Sequence, residues 1–519
     1  MMTPPQIRSL ICSCTVFFLC GSIAAAQDSS LNLSVRSRTE TEQGSGRWHA
    51  VTKPAEWKAA ETAIVICDMW DKHWCPQATE RVGEMAARMN QVVRTARDKG
   101  ALIIHCPSNT LDFYKDTPQR ELAQSAPKVE TKIPLQNWCH LDAKVEGKAL
   151  PIDDSDGGCD CEEPVKNYRA WSRQHPAIEI ADHDAITDSA EAFYLMKQRG
   201  ISNVVVMGVH TNMCVLGRPF SIRQMVQQGQ NVVLMRDMTD TMYNPKMAPF
   251  VSHFTGTDLI VEHIERHWCP TILSTDFIGG DEFRFKHDER KHLVVLCAER
   301  EYLTHESLPK FAADHLGHDF RVSFVWDDVD DRNNLPGIEV VSDADILLVS
   351  VRRRTLPNRQ LKFVRDFVAS GKPVVGIRTA SHAFCLRGKE PAEGLDNWTE
   401  FDNQVFGGNY TNHHGEGPQV TVFLVDNAPP AAKPFMQRVN VDVGNLFGNG
   451  SLYKVSPLAR STTPLLFGKI PNADAEPIAW FNRRADGGTS FYTSLGHIDD
   501  FVQPQFLAFL KHALVTLAR

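Results

Sequence analysis

Apolar positions fall into two successive cycles of short hydrophobic runs and longer amphipathic stretches, with polar, irregular chain around them. Thr62-Ala-Ile-Val-Ile-Cys67 is short and continuously apolar, the pattern of a strand buried on both faces. Val82, Met85, Ala86, Met89, Val92, Val93 and Ala96 then recur at helical spacing, and Gly100 supplies the stop. The spacing next predicts a strand over Ala101–His105, a helix over 188–199 ended by Gly200, a strand over Asn203–Met207, a helix after Cys214 and a strand over Asn231–Met235. Between them, about 107–176, lies a proline-rich irregular stretch of the length that usually carries function.

A charged segment, 276–290, interrupts the rhythm, and a second cycle begins. It predicts strands Leu293–Cys297, Arg321–Trp326, Asp345–Val351 and Pro373–Ile377, helices 305–316 and 358–370, β-rich segments near 418–425 and 477–495, and an amphipathic helix from Pro504. Strands alternating with helices imply an α/β class. The expectation is two three-layer α/β/α domains, each on a mostly parallel sheet. Their bounds are 58–275 and 291–519, with 1–26 as a leader, 27–57 as an extended arm and 276–290 as a linker.

Composition narrows the function classes. Lysine and arginine total 55 against 63 acidic residues, a net charge of −8 with no basic run, which excludes nucleic acid as an expected partner. Hydrophobic residues at 42% are enough to build full cores. Arg8, the apolar run Ile11–Leu19 and Ala24-Ala25-Ala26 before Gln27 have the form of a cleaved secretory signal, so a secreted or periplasmic protein is expected. Phe18 and Leu19 are too bulky for Cys20 to be a lipid-anchored cysteine, and no later run reaches the roughly 18 apolar residues of a membrane span. Cys159-Asp160-Cys161 is the closest cysteine spacing and has no second pair at metal-site distance, so no metal and no cofactor is expected.

The chemistry concentrates in Val204-Val-Val-Met-Gly-Val-His-Thr-Asn-Met-Cys214-Val-Leu-Gly-Arg-Pro-Phe. A buried strand running through a turn into a helix sets Cys214 where the dipole and free N–H groups can activate a thiol, although an inert core cysteine fits the same local pattern. Asp68 ends the strand Thr62–Cys67, at the carboxyl edge where open α/β sheets bind ligands. If the two strands are neighbours, a carboxylate faces a thiol across one crevice.

That pairing resembles the isochorismatase-like cysteine hydrolases, which include the nicotinamidases. The resemblance rests on Asp68 and on Gly208-Val-His-Thr-Asn-Met-Cys214-Val. It implies Cys214 as nucleophile, Asp68 as its base, a cis peptide at Val209–His210, and the N–H groups of Met213 and Cys214 as oxyanion donors. The family also uses an upstream lysine, but the corresponding window, Arg169-Ala-Trp-Ser-Arg-Gln-His-Pro-Ala-Ile-Glu-Ile180, has none. Arg173 or His175 is the expected substitute, with Arg169 inside the window and Lys166 just outside it as further cations. The Asp-x-His metal pair of nicotinamidases has no counterpart after the second strand. Asp71, His73 and His210 are assigned instead to the pocket.

From Leu293 onward the chain resembles the ThuA-like (trehalose-utilisation) family, whose fold is similar to class I glutamine amidotransferases. The carrying segments are Lys372-Pro-Val-Val-Gly-Ile-Arg-Thr-Ala-Ser-His382, Phe406-Gly-Gly-Asn-Tyr-Thr-Asn-His-His414, Ala479-Trp480 and Phe491-Tyr-Thr-Ser-Leu-Gly-His497. Arg378 stands where an amidotransferase has its cysteine, which removes glutaminase chemistry. The expected site gathers His305, Arg378, His382, His413 and His497 for a hydroxylated or anionic ligand such as a carbohydrate; Trp398 and Trp480 fit either a stacking face for a sugar or, as most tryptophans at such spacing do, the core. Two readings follow. One is an exported hydrolase that cleaves an amide or related C–N bond of a small molecule through a Cys214 thioester. The other is a non-catalytic carbohydrate-binding protein with a degenerate first domain.

Overall fold

The computed structural model describes residues 29–415, 417–424 and 445–519, together with Met1; the rest of the expected leader lies outside the described residues. No described helix is long and apolar enough to cross a membrane.

The first sheet contains β1 (Ser30–Glu40), β2 (Trp48–Lys58), β3 (Thr62–Cys67), β4 (Leu102–Cys106), β5 (Ala185–Ile186), β6 (Asn203–Val209), β7 (Asn231–Asp240) and β8 (Thr271–Ile272). Their order is β2-β1-β8-β7-β6-β3-β4-β5. Strands β3 to β8 pair in parallel, and β1 runs antiparallel to β8 and to β2. Every residue of β3 and of β6 is buried. Alternation explains this: Ala63, Val65, Val204 and Val206 pack with Phe193, Ile260 and Ile264 on one face. On the other face Ile64, Ile66, Val205 and Met207 pack with Val82, Met85 and Met89 of helix Pro76–Asp98.

Three elements differ from the sequence expectation. The arm expected at 27–57 is a hairpin, paired from Ser30↔Lys58 to Glu40↔Trp48 and joined to the sheet at Arg36↔Thr271. Its period-two pattern places Leu31 and Leu33 in the core, and Arg36 and Arg38 donate from Nε to buried Glu265 at 2.7 and 2.8 Å. The helix after Cys214 is a single turn, Cys214–Gly217. Helix His253–His267 was not anticipated because its histidines and glutamates dilute the apolar stripe.

The charged segment 276–290 is fixed by hydrogen bonds to both sides. Phe283 N–H donates to Asp237 Oδ2 at 3.1 Å and Lys286 N–H to Glu84 Oε2 at 2.8 Å, while Glu282 pairs with Arg321 at 2.5 Å. Beyond it, the second sheet runs Phe320–Trp326, Lys291–Ala298, Ile346–Val351, Val374–Ile377, Thr489–Thr493, Glu476–Arg483, Thr462–Lys469, Val420–Leu424 and Phe447–Gly448. The first five pair in parallel and the last four antiparallel. Helices Thr304–His315 and Pro504–Ala518 contribute to the core on one face, and Asn358–Ala369 to that on the other. Both domains are therefore α/β units on largely parallel sheets.

Gly208 is a point of close backbone approach in the first sheet. It lies opposite Cys67 in the β3–β6 register with φ +113°, and a Cβ there would collide with the Cys67 carbonyl oxygen. Gly208→Ala is expected to destabilise the protein by about 2 kcal/mol or more, read as a lower thermal unfolding midpoint. An unchanged midpoint would contradict this close approach.

Candidate active site

Because β3 and β6 are parallel neighbours in register, the residue that follows β3 and the turn that follows β6 open at one carboxyl edge. Asp68 is fully buried there with φ 48°. Its Oδ1 accepts the Ser108 N–H at 2.8 Å and its Oδ2 accepts Arg218 Nε at 3.2 Å. The Cys214 thiol lies beside the same carboxylate and interacts with it and with the Arg218 guanidinium electrostatically. The turn after β6 contains the expected cis peptide at Val209–His210. One helical turn then brings position 218, four residues beyond Cys214, back beside it.

The electrostatics follow from burial. Burial pushes the Cys214 thiol well up, and the neighbouring Asp68 charge adds to this, with Arg218 opposing. Burial also raises the Asp68 carboxyl, against the pull of Arg218 and the Ser108 hydrogen bonds. The thiol therefore holds its proton at rest, next to a carboxylate that is more basic than usual. A one-turn helix has little macrodipole, so the positive charge at the site comes from Arg218.

Arg218, and neither Arg173 nor His175, is the cation paired with Asp68. Arg173 is exposed, with its guanidinium 5.5 Å from the Phe113 ring centroid. His175 is half-buried; its N–H donates to the Met69 carbonyl at 2.7 Å and its Nδ1 accepts the Ala177 N–H at 3.3 Å. Arg169 is exposed and donates to the Asn109 carbonyl, and Lys166 is exposed. The readable signal was a cation at i+4 from Cys214 on a helical turn.

A second correction concerns the oxyanion donors. The Met213 N–H is committed to the His210 carbonyl at 3.0 Å. The His210 N–H instead faces the Cys214 sulfur, and Cys214 opens the helix, where an N–H has no intrahelical acceptor.

The pocket residues divide. Asp71 fastens the loop rather than lining the pocket: its carboxylate accepts the Ser172 N–H at 2.9 Å and the Ser172 hydroxyl at 2.5 Å. The His73 and His210 rings, also expected in the pocket, have centroids 4.8 Å apart and lie beside Trp70 and Trp171, which stack at 4.5 Å. Burial holds His73 down at about 4, helped by Arg81, and His210 well below its ordinary value. Trp171 Nε1 and His210 Nε2 are buried without a hydrogen-bond partner in the protein, so each retains hydrogen-bonding capacity. Behind the turn, Asp240 accepts Arg81 Nε at 2.7 Å and pairs with His253 Nε2 at 2.8 Å, while its carbonyl accepts the Thr211 N–H at 2.8 Å.

In the second domain Arg378 follows strand Val374–Ile377 with φ 43° and is 2% exposed. Its guanidinium lies 3.8 Å from the Tyr302 ring centroid and 5.1 Å from that of Tyr453, and Nη1 donates to the Ser494 carbonyl at 2.9 Å. His382 stacks on Tyr410 at 4.6 Å, and burial with the nearby Arg353 lowers it to about 3. Exposed His413 is 6.3 Å from Tyr453, and His497 is 5.9 Å from Tyr302. Tyrosines 302, 410 and 453, missed in the sequence, thus link the predicted residues. Buried Asp402, raised to about 7 by burial, accepts the Tyr410 N–H at 2.8 Å and was missed as well. His305 sits on the first turn of helix Thr304–His315, 3.7 Å from Glu306. Trp480 is core, with Nε1 donating to the Phe406 carbonyl at 2.7 Å, and Trp398 is occupied by Gln404 at 2.8 Å and by the Arg365 guanidinium at 4.7 Å. Neither tryptophan offers a stacking face.

Comparison with known proteins agrees with this division. Residues 62–248 match the model of the isochorismatase domain, and residues 292–515 match that of ThuA, described as trehalose utilisation. No curated protein matches the chain. Similar solved structures include a putative ThuA-like protein from Bacteroides uniformis, 15% identical over 46% of this chain and 94% of that one, with a TM-score of 0.33. A cysteine hydrolase from Pseudomonas syringae pv. phaseolicola is 14% identical over 43% of this chain and 92% of that one, TM-score 0.27. An isochorismatase family protein from Burkholderia thailandensis is 15% identical over 42% and 93%, TM-score 0.24. With Asp68 and Cys214 converging in the first region and Arg378 at the reactive turn of the second, the chain joins an isochorismatase-like domain to a ThuA-like domain.

Proposed function

We propose that the first domain is a cysteine hydrolase that cleaves an amide or related C–N bond of a small molecule. The observation that carries this reading is the Arg218 guanidinium, which pairs with Asp68 and reaches Cys214. It supplies the cation whose absence from the upstream window favoured a degenerate domain. An arginine keeps its charge in a buried site where a lysine readily loses it.

The steps follow from the atoms present. The substrate carbonyl lies beside the Trp70–Trp171 stack. Asp68 takes the Cys214 proton as the sulfur attacks the carbonyl carbon, so that no free thiolate is needed at rest. The His210 and Cys214 N–H groups receive the oxygen that becomes negative. Collapse expels the amine, which takes the proton back from Asp68, and leaves a thioester. Water, deprotonated by Asp68, then attacks the thioester; the acid departs and the thiol recovers its proton.

The second domain, on this reading, binds a hydroxylated or anionic ligand such as a carbohydrate near Arg378, whose Nε and Nη2 are buried without hydrogen-bond acceptors, and near His382 and Asp402. The N-terminal apolar run adds export to the proposal.

Assays on a panel of small carboxamides and ureas test the reading. Cys214→Ser is expected to lower kcat/KM by about 10³-fold or more with little change in unfolding midpoint, and Arg218→Met by about 10²-fold or more. Retained turnover in Cys214→Ser would move the chemistry elsewhere. Because Asp68 is raised and must be ionised to act, activity should be present at neutral pH and fall on acidification. The midpoint of that acid limb is expected above the value of about 4 of an ordinary carboxyl.

Asp68→Asn separates activation from acidity. The substitution removes the charge that raises the Cys214 thiol and leaves Arg218, which lowers it. Alkylation of Cys214 by iodoacetamide at pH 7 should therefore accelerate while turnover is lost. Slower alkylation together with lost turnover would point to a structural role for Asp68.

A further inference from the structure

Three cysteines that the hydrolase does not use meet at the start of helix Pro76–Asp98. The sulfurs of Cys75, Cys159 and Cys161 all lie within 4.8 Å of one another, and Cys75 Sγ is 3.8 Å from Cys161 Sγ. Two thiolates sharing a tetrahedral zinc at about 2.3 Å each are about 3.8 Å apart, so this separation is that of ligands on one ion. Among the described residues no other group of three or more His, Cys, Asp or Glu converges in this way. The Cys159–Cys161 pair lacked a partner in the sequence because its third member lies in an earlier element.

The surroundings hold the sulfurs in place. Cys75 is the N-cap of a 23-residue helix, whose positive end favours thiolate charge. Its N–H donates to His73 Nδ1 at 3.2 Å. Asp160, between the other two cysteines, is gripped by Arg81 at 2.8 and 3.2 Å and so orients both neighbours. The approach to this loop is pinned as well. Asn212 donates to Asp154 at 2.7 Å, Asn244 donates to Asp156 at 2.8 Å, and Gly158, with φ +71°, packs where a Cβ would strike the Met242 carbonyl. Cys75 is buried while Cys159 and Cys161 are half-buried, which leaves one side open to solvent for a fourth ligand.

We propose that Cys75, Cys159 and Cys161 bind one thiophilic d10 cation, Zn(II) with a water as fourth ligand or Cu(I) in three-coordinate form, which clamps the 153–163 loop to the head of helix Pro76–Asp98. Three sulfurs select such ions over magnesium or calcium, and the Asp160 carboxylate, whose Oδ1 accepts the Cys75 thiol at 3.8 Å, is held by Arg81. Binding exchanges the three thiol protons for the ion, and the protons pass to solvent.

The test uses the full chain, reduced and freed of metal, titrated in separate arms with zinc chloride and with Cu(I) held as its acetonitrile complex. Bound metal is counted by elemental mass spectrometry after gel filtration. One equivalent of either ion is expected, retained by Cys214→Ser and Cys385→Ser. Cys159→Ser and Cys161→Ser should weaken binding by more than the roughly 10–100-fold that loss of an outer partner costs. Chelation should also speed proteolytic cleavage between residues 126 and 184. Three outcomes would overturn the proposal: no binding in either arm, unchanged binding in the two serine variants, or recovery of Cys75 in a disulfide from chain alkylated without reduction. Because Cys214→Ser keeps the ion, failure here is distinguishable from failure of the hydrolase reading.

Discussion

A carboxylate with no exposure to solvent organises the first domain. An isolated buried charge is unfavourable by several kcal/mol, so Asp68 must be met by donors. They come from two neighbouring strand ends, the Ser108 backbone beyond β4 and, beyond β6, the Arg218 guanidinium with the Cys214 thiol beside it, while Asp68 itself follows β3. Satisfying one charge thus fixes three loops relative to one another. The same contacts that stabilise the ion also set its basicity, because each donor lowers what burial raises.

Much of this was legible in the sequence, for identifiable reasons. Strands buried on both faces read as continuous apolar runs, and Thr62–Cys67 was recovered residue for residue. The convergence of Asp68 and Cys214 was legible because both follow such strands. Arg218 was not, because the family pattern places its cation upstream, on a separate loop. A one-turn helix supplied it locally, and nothing in apolar periodicity marks so short an element. The hairpin was missed although Leu31 and Leu33 alternate with polar residues, since only the first part of β1 faces the core and the polar remainder of both strands hides the pattern.

In the second domain, the strand that would deliver a nucleophile delivers Arg378 in the left-handed conformation, packed between tyrosine faces. The sequence could locate this turn because a buried strand precedes it. It could not identify Tyr302 and Tyr453 as the faces that receive the guanidinium, because the three residues lie on different elements. Aromatic faces stabilise a buried cation without neutralising it, so the site keeps a positive charge for use.

The seam between β1 and β8 also shapes how the chain is built. Arg36 pairs with Thr271 and donates to Glu265, so β1, the first described strand, waits for almost the entire domain before its edge is covered. Until then β1 and β2 can pair only with each other, and an isolated hairpin is marginal in water. The nascent chain therefore carries an open strand edge throughout synthesis of the domain. Since β8 is the last of these strands in chain order, that edge cannot be covered until β8 has been made.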